Sequence, residues 1–359
     1  MAINFKEMFT PATIAAYYTS DQLAKDRRPY MGETLFPVRK KAGLDLAWIK
    51  GASGLPVSLM PSAFDAKATF RDRVGVSKIE TEMPFFREGY HISERDRQDL
   101  LSIGDSKSPY AESVINHIFR DTANLIDGAM VVPERMRMQL LFPINGDCGI
   151  SLKANDVVYD YKYDTDGSWK LTNYLTHADA TKDWDKAATS DPFVDFEAAK
   201  QAAENKTGAR ITRCAMSPNT FRAMAQSQAI KDRFLTVNGL NIGYLTENQV
   251  KAIVKDVTGV TIIINGARYM DESKQLKAFV PDGYVSFLPD GALGETWFSC
   301  TPEEADLMGS GKASVQIVNT GVAITTELQE HPVNINTFAS EIVLPSFEAM
   351  DSVVCFKVM

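Results

Sequence analysis

Residues 43–93 constrain the fold of this chain more than any other segment. The stretch LDLAWIKG alternates apolar and polar residues, as a half-buried strand does. The breakers Gly54, Pro56 and Pro61 follow, and VSKIETEMPFFREGYHIS is then extended again until about Ser93. Two extended limbs joined by such a tip predict a long β-hairpin. Because a hairpin buries little surface against itself, this one should need another surface to lie on.

The rest of the chain mixes helical and extended patterns. A short helix should start at Pro11 with Thr10 as its N-cap, and Pro29 and Gly32 should break the chain after it. The longest helical pattern covers 109–138, and Pro133 inside it should kink or restart the helix. Further helices are predicted at 192–207, 218–234 and 247–258, with Asp191, Ser217 and Thr246 as their N-caps.

Most of the remaining segments are predicted as strands or loops. Residues 148–164 should form two strands around a turn at 154–156, and 165–191, which is rich in Asp, Thr and Lys, should be a loop. Strands are predicted at 209–216, 260–264, 274–280, 283–288 and over much of 313–359. This mixture predicts an α+β fold.

Composition excludes several classes of protein. A length of 359 residues allows about two to three domains. The net charge of −8 argues against a general nucleic-acid binder, because phosphate affinity depends on clustered Lys and Arg. No stretch of about 18 residues is apolar enough to span a membrane. Lys6 and Glu7 stand where a signal peptide would be apolar, so we expect synthesis in the cytoplasm.

Two Pro-Asp-Gly triplets could be a phosphate cradle or simple turns. They end at Gly283 and Gly291, and Gly294 follows. Pro followed by Asp-Gly is turn chemistry, and the next residues, Thr296, Trp297 and Phe298, favour a strand over the helix that a phosphate site requires. The triplets are therefore predicted to be turns.

The histidines and cysteines show no catalytic or metal-binding spacing. No two of the four histidines lie within five residues of each other, and no two cysteines form a C-x-x-C pair. Their neighbours favour buried structural thiols for most of the cysteines. The residues are His91, His117, His177, His331, Cys148, Cys214, Cys300 and Cys355.

The acidic residues Glu303, Glu304 and Asp306 are the remaining candidates for chemistry. They follow Thr301-Pro302 and could begin a helical turn, whose N-terminal end favours negative charge. A metal site or a hydrolase built on this cluster is the alternative. We predict no catalytic residue, no metal and no cofactor, and hence no enzyme.

What remains is an N-terminal arm, a long hairpin, a long helix and a compact α/β part. Arms and hairpins that reach out from a body are how identical subunits tie together in symmetric assemblies. The sequence therefore favours a structural subunit.

Several segments, in order, resemble one family. They are LFPV before LAWI, MPFFREGYHISERDRQDLL, LIDGAMVVPERMRMQLL, CAMSPNTFRAMAQSQAIKDRF, FVPDGYVSFLPDGALGETWFSCTPEEADL and INTFASEIVLPSFEAMDSVVCFKVM. Together they resemble the major capsid proteins of tailed phages, of the phage lambda major head protein type (capsid protein E type). The resemblance covers nearly the whole chain.

The resemblance implies the major capsid fold of tailed phages and herpesviruses, with five regions. Residues 1–35 would be the N-terminal arm, and 43–93 an extended loop that lies over a neighbouring subunit. Residues 94–194 would be a peripheral domain with a long spine helix and strands. Residues 195–310 would be the axial domain, and 311–359 would return to the peripheral sheet.

The function implied is self-assembly into pentamers and hexamers of an icosahedral phage head that encloses double-stranded DNA. The protein would belong to the virion and would assemble in the host cytoplasm. A separate scaffolding protein, a portal, a maturation protease and a decoration protein are the partners that the family implies, and no Lys–Asn crosslink is expected. The alternatives are a cellular nanocompartment shell of the same fold and a tail structural protein.

Overall fold

The structure is a computed structural model of the chain. It describes residues 9–19, 29–50, 77–92, 94–95, 98, 109–154, 157–238, 245–307, 314–330 and 333–359. The chain divides into two compact units. Unit 1 comprises Met1–Leu46, Thr81–Arg135 and Glu295–Ser346, and unit 2 comprises Ala47–Glu80, Met136–Gly294 and Phe347–Met359.

Helices and strands are numbered here along the described chain. The helices are α1 (Pro11–Tyr18), α2 (Met31–Leu35), α3 (Pro109–Leu141), α4 (Ser168–Asn173), α5 (Pro192–Thr207), α6 (Pro218–Gln226), α7 (Gln228–Asn238) and α8 (Glu247–Thr258). The strands are β1 (Val38–Lys41), β2 (Asp45–Lys50), β3 (Ser77–Glu82), β4 (Phe85–His91), β5 (Gly149–Ala154), β6 (Val157–Lys162), β7 (Tyr174–Thr176), β8 (Ile211–Met216), β9 (Thr261–Ile264), β10 (Arg268–Met270), β11 (Leu276–Ala278), β12 (Tyr284–Pro289), β13 (Thr296–Ser299), β14 (Ser314–Val318), β15 (Val322–Glu330), β16 (Val333–Pro345) and β17 (Val354–Lys357).

Unit 1 is organised around the long strand β16. The strand order of its sheet is β1-β13-β16-β15-β14, and β4 also pairs with β16. The pairing of β4 with β16 is antiparallel and places Gly89 opposite Phe338. An added Cβ on Gly89 would overlap the ring of Phe338, which occupies the space that a side chain at position 89 would need.

Helix α1 packs inside unit 1. Its N-cap Thr10 forms the predicted side-chain bond to the backbone N–H of Thr13. Ile14 and Tyr18 are buried in a core cluster with Ile118 and Phe119 of α3. Residues 9–18 of the predicted arm therefore pack against the core of unit 1, where their apolar side chains are buried.

The predicted break at Gly32 is wrong. Gly32 lies within α2, and its backbone N–H donates to both carboxylate oxygens of the buried Glu134, at 3.0 and 3.1 Å. At Pro133 the prediction was a kink or a restart, and α3 continues through this residue to Leu141 without restarting. At Gly32 the contact with Glu134 outweighs the local preference of glycine.

The predicted hairpin is confirmed at its base, whereas its tip, 51–76, lies outside the described residues. Within the described chain, β2 and β3 pair only with each other. The return limb then joins a larger structure through β4. Trp48 is buried, and the centroid of its ring lies 5.1 Å from that of Tyr163. The expectation that this hairpin buries little surface against its own chain is therefore wrong in two places. Trp48 is buried beside Tyr163, and β4 pairs with β16.

Unit 2 contains a five-stranded sheet with the order β7-β17-β12-β8-β9. Its core joins side chains of this sheet to those of α5, α6, α7 and α8. The predicted caps Asp191, Ser217 and Thr246 are confirmed, since each side chain accepts a backbone N–H of the helix that it starts.

Two predictions in unit 2 are corrected. Residues 165–191 are not all loop, because they contain α4, β7 and a 3-10 turn at Ala180–Lys182. The single helix predicted at 218–234 is two helices that break at Ser227. The Ser227 hydroxyl donates to the carbonyl of Ser190 at 2.8 Å, a long-range contact that helix propensity does not reveal.

Strands β5 and β6 form the predicted hairpin, and a side chain of α3 covers the outer edge of β5. The amide of Gln139 accepts the backbone N–H of Ser151 at 2.9 Å and donates to the carbonyl of Ser151 at 3.1 Å. Gln139 thus satisfies one donor and one acceptor that a neighbouring strand would otherwise take.

Candidate functional site

The acidic cluster lies on one π-helical turn of unit 1, Glu303–Leu307. Thr301 starts the turn, because its carbonyl accepts the N–H of Ala305 at 2.9 Å and its hydroxyl accepts that of Glu304 at 3.3 Å. The predicted helical turn is therefore confirmed. Its carboxylates point to different partners.

Glu303 is buried and bound to two strands of the sheet. Its carboxylate forms an ion pair with Arg87 of β4 and accepts the Ser340 hydroxyl of β16 at 2.9 Å. Arg87 and Ser340 stand opposite each other in the β4–β16 pairing. The guanidinium of Arg87 also lies 5.2 Å from the centroid of the Phe85 ring. Glu303 thus fastens the turn to the junction of β4 and β16.

Glu304 binds a third strand. The Lys40 ammonium of β1 contacts both carboxylate oxygens of Glu304, at 2.7 and 2.8 Å. The Cys300 thiol lies 3.8 Å from one of them. Asp306 is exposed. The three carboxylates do not converge on one point, since two are neutralised by cations on separate strands.

The metal-site alternative requires carboxylates that converge on one ion. Among the described residues, no group of three or more His, Cys, Asp or Glu side chains is placed to hold a metal ion. A carboxylate that a lysine or arginine already neutralises is a poor ligand unless the cation moves away. The cluster is a structural staple that joins the turn to β1, β4 and β16.

The glycines of the two Pro-Asp-Gly triplets lie in turns, as predicted. Gly283 and Gly291 have φ angles of +82° and +84°, which favour glycine. The N–H of Gly283 donates to the Thr220 hydroxyl at 2.9 Å, and Asp282 accepts from Ser217 and Asn219. The first triplet therefore binds the start of α6 and has its polar groups occupied by protein.

The cysteines are free thiols, and Cys148, Cys214 and Cys355 are buried, as predicted. Burial raises the pKa of the Cys214 and Cys355 thiols well above their usual range. These two groups are unreactive as nucleophiles because the thiolate, not the thiol, is the nucleophilic form.

His177 has an arrangement that sequence reasoning did not find. Its two ring nitrogens lie 2.9 Å from Oδ1 of Asp183 and 3.0 Å from Oδ1 of Asp195. The indole N–H of Trp184 donates to Oδ2 of Asp195 at 2.7 Å. The repeated carboxylates after His177 were the available signal, but no spacing rule connects them to a histidine.

Within the described residues, no helix combines the length and apolar character needed to cross a membrane. The carboxylates of Glu303 and Glu304 are bound to the side chains of Arg87 and Lys40.

Comparison with solved structures identifies the fold. The chain is similar to the putative capsid protein of a prophage of E. coli CFT073, with a TM-score of 0.60 and 11% identity over 100% of both chains. It is also similar to a phage-related protein of Bordetella bronchiseptica RB50, with a TM-score of 0.52 and 13% identity over 97% of both chains. The capsid protein of cyanophage A-1(L) matches with a TM-score of 0.50 and 11% identity, over 95% of this chain and 98% of the other. The fold is that of tailed-phage capsid proteins.

The sequence itself defines the family more narrowly. The chain belongs to the family of phage major capsid protein E, whose family model matches residues 10–358. It is thus a major capsid protein and a component of the virion head. No curated protein sequence matches the chain significantly.

Proposed function

We propose that copies of this chain form pentamers and hexamers that close an icosahedral phage head around double-stranded DNA. The observation that carries the proposal is the β2–β3 ribbon, which pairs with no other strand of the described chain. Each of these strands has six residues and is about 20 Å long. A ribbon of that length, with which no other described strand pairs, is suited to a neighbouring copy of the same chain.

The five predicted regions have separate roles in this proposal. Residues 43–93 act as the extended loop over a neighbouring subunit, and 1–35 act as the N-terminal arm. Residues 94–194 form the peripheral domain, and 195–310 form the axial domain around the five- and six-fold axes. Residues 311–359 return to the peripheral sheet.

The charge of the chain supports enclosure of DNA without tight binding. A net charge of −8 gives little attraction for phosphate, so packaged DNA would not be held to the inner wall. The partners proposed beyond other copies are a scaffolding protein, a portal, a maturation protease and a decoration protein. We expect no catalytic activity, because the candidate carboxylates Glu303 and Glu304 are bound to Arg87 and Lys40.

Negative-stain electron microscopy of the purified chain, beside its mass by light scattering, tests the proposal. Closed shells, or rings with five- and six-fold symmetry, support it. The nanocompartment alternative gives closed shells that carry a protein cargo, and a tail protein gives tubes or open rings. A chain that stays monomeric at all concentrations, even when a scaffolding protein is co-expressed, contradicts the capsid assembly proposed here.

Deleting residues 52–66 tests the role of the extended loop. These residues lie outside the described ones, at the tip beyond β2. The deletion should leave a folded subunit, with unchanged circular dichroism, that forms no shells. A matched variant, with 52–66 replaced by an equally long Gly-Ser linker, separates the loss of side chains from the loss of length. Normal particles from both variants would contradict this role.

A further inference from the structure

We propose that His177 is a pH-sensitive clasp that holds residues 177–190 closed on α5 and β17 while its imidazole is positively charged, and that loosens as the pH rises. The proposal concerns unit 2 alone and does not depend on shell assembly. It therefore adds a conformational control to a chain whose function is structural.

With both carboxylates ionised, the contacts of the ring require a charged imidazole. The His177 side chain is 6% exposed, and each ring nitrogen is within hydrogen-bond distance of a carboxylate oxygen. A neutral imidazole has one N–H donor and one acceptor, whereas an ionised carboxylate can only accept. Both contacts can be made with ionised Asp183 and Asp195 only when both nitrogens carry a proton. The site thus stores one positive charge between two negative ones.

The described groups that face His177 come from its own segment and from two packed elements. Its own segment supplies Asp183, and α5 supplies Asp195, whose other oxygen accepts the indole N–H of Trp184. Strand β17 supplies the ring of Phe356, whose centroid lies 5.0 Å from that of His177. Asp191, the N-cap of α5, adds a further negative charge that acts on Asp195.

The pKa values of His177 and Asp195 are both raised, but for different reasons. Burial lowers the pKa of His177, but hydrogen bonds to Asp195 and Asp183, with the charges of both, outweigh it and raise the pKa. Burial raises the pKa of Asp195 despite its bonds from His177 and Trp184. The folded network therefore keeps its protons to a higher pH than the unfolded chain does. The stability from His177 is complete below about pH 6.5 and is lost as the pH rises through the raised pKa.

The segment that His177 closes connects several parts of unit 2. The N–H of Trp184 donates to the carbonyl of Val358 at 2.8 Å, and the indole is fully buried in the core. The carbonyl of Ala187 accepts the N–H of Gln228 at 2.8 Å. Opening of the segment would therefore release the chain after β17 and the start of α7 together.

Hydrogen exchange on the full-length subunit, measured by mass spectrometry from about pH 6 to about pH 9, tests the clasp. Exchange rates are first corrected for the intrinsic rate of each amide. The amides of 177–190 should then exchange about tenfold faster for each pH unit between the ordinary pKa of histidine and the raised pKa of His177. In His177→Gln this pH dependence should disappear, with fast exchange throughout. The control is His117→Gln. The His117 side chain is 68% exposed, and the one carboxylate recorded near it among the described residues, that of Asp121, is 3.8 Å away. This variant should behave as the wild type does.

A second measurement does not require a folded variant at position 177. Nitrogen-15 spectra of histidine-labelled wild-type protein, taken from about pH 5 to about pH 9, follow the protonation of each ring nitrogen. The His177 signals are identified by elimination with Gln variants of the other three histidines. A His177 ring that keeps both protons to a higher pH than free histidine, whose pKa is about 6.5, supports the proposal. A ring that loses a proton at or below that pH overturns it, as does corrected exchange of 177–190 that does not change with pH.

Discussion

Replacing Glu303 by alanine should weaken unit 1 more than replacing either acidic neighbour. Glu303 is buried, and its carboxylate is the acceptor for the Ser340 hydroxyl, which is 1% exposed. Loss of that acceptor leaves a buried donor unpaired, which costs about 1–3 kcal/mol. The ion pair with Arg87 adds about 1 kcal/mol or less, because Arg87 is 49% exposed and regains water. The expected loss is therefore about 1–4 kcal/mol.

The two neighbours provide a graded control. Glu304 lies in a partly exposed pair with Lys40, so Glu304→Ala should cost about 1 kcal/mol. Asp306 is exposed, and Asp306→Ala should change the stability by less than about 0.5 kcal/mol. Glu303→Gln keeps an acceptor for Ser340 and should lose less than Glu303→Ala does. The predicted order of losses is therefore Glu303, Glu304, Asp306.

Urea unfolding of unassembled subunits, with and without a divalent cation, measures this order. The structure predicts graded losses and no effect of Mg²⁺ or Ca²⁺ on the wild-type midpoint. A shared metal site predicts three similar losses and a midpoint that rises with metal concentration, as binding to the folded state requires. Equal losses at all three positions would refute the structural role of the acidic cluster. Stabilisation by metal that Glu303→Ala removes would refute it as well.

Two further substitutions test local packing and capping by the same unfolding measurement. Gly89→Ala should cost about 1–3 kcal/mol, because its Cβ would overlap the Phe338 ring, and the added change Phe338→Leu should recover part of that loss. An undiminished loss in the double variant would contradict the overlap. Thr246→Ala removes the hydroxyl that caps α8 and should cost about 1 kcal/mol, whereas Thr246→Ser should be nearly neutral. Equal losses for the two Thr246 variants would show that the cap has no effect.

Local chemistry explains what the sequence predicted well. The caps Thr10, Asp191, Ser217 and Thr246 were identified because a cap and the N–H that it accepts lie within three residues of each other. The turn at Gly283 was identified for the same reason, since its φ angle depends on the residue itself.

Contacts between distant residues explain what the sequence did not predict. Arg87 and Glu303 are far apart along the chain, and only the β4–β16 pairing brings them together. At the break between α6 and α7, the Ser227 hydroxyl donates to the carbonyl of Ser190, which lies 37 residues earlier in the chain. His177 lies in a polar stretch with no periodicity, and its partner Asp195 lies on a helix that the sequence analysis treated separately. The acidic cluster was located correctly, but its role could not be known without the strands that neutralise it.

The Gln139 amide that covers Ser151 has a consequence for specificity. A capsid subunit is made in many copies and must avoid adhesion through exposed strands, which is the usual route to sheet-to-sheet aggregation. Gln139 occupies the donor and acceptor of Ser151 at the outer edge of β5, so an approaching strand would have to displace it. The Gln139 side chain of α3 thereby blocks this position of the strand edge, and it discourages incorrect association there without adding a charge.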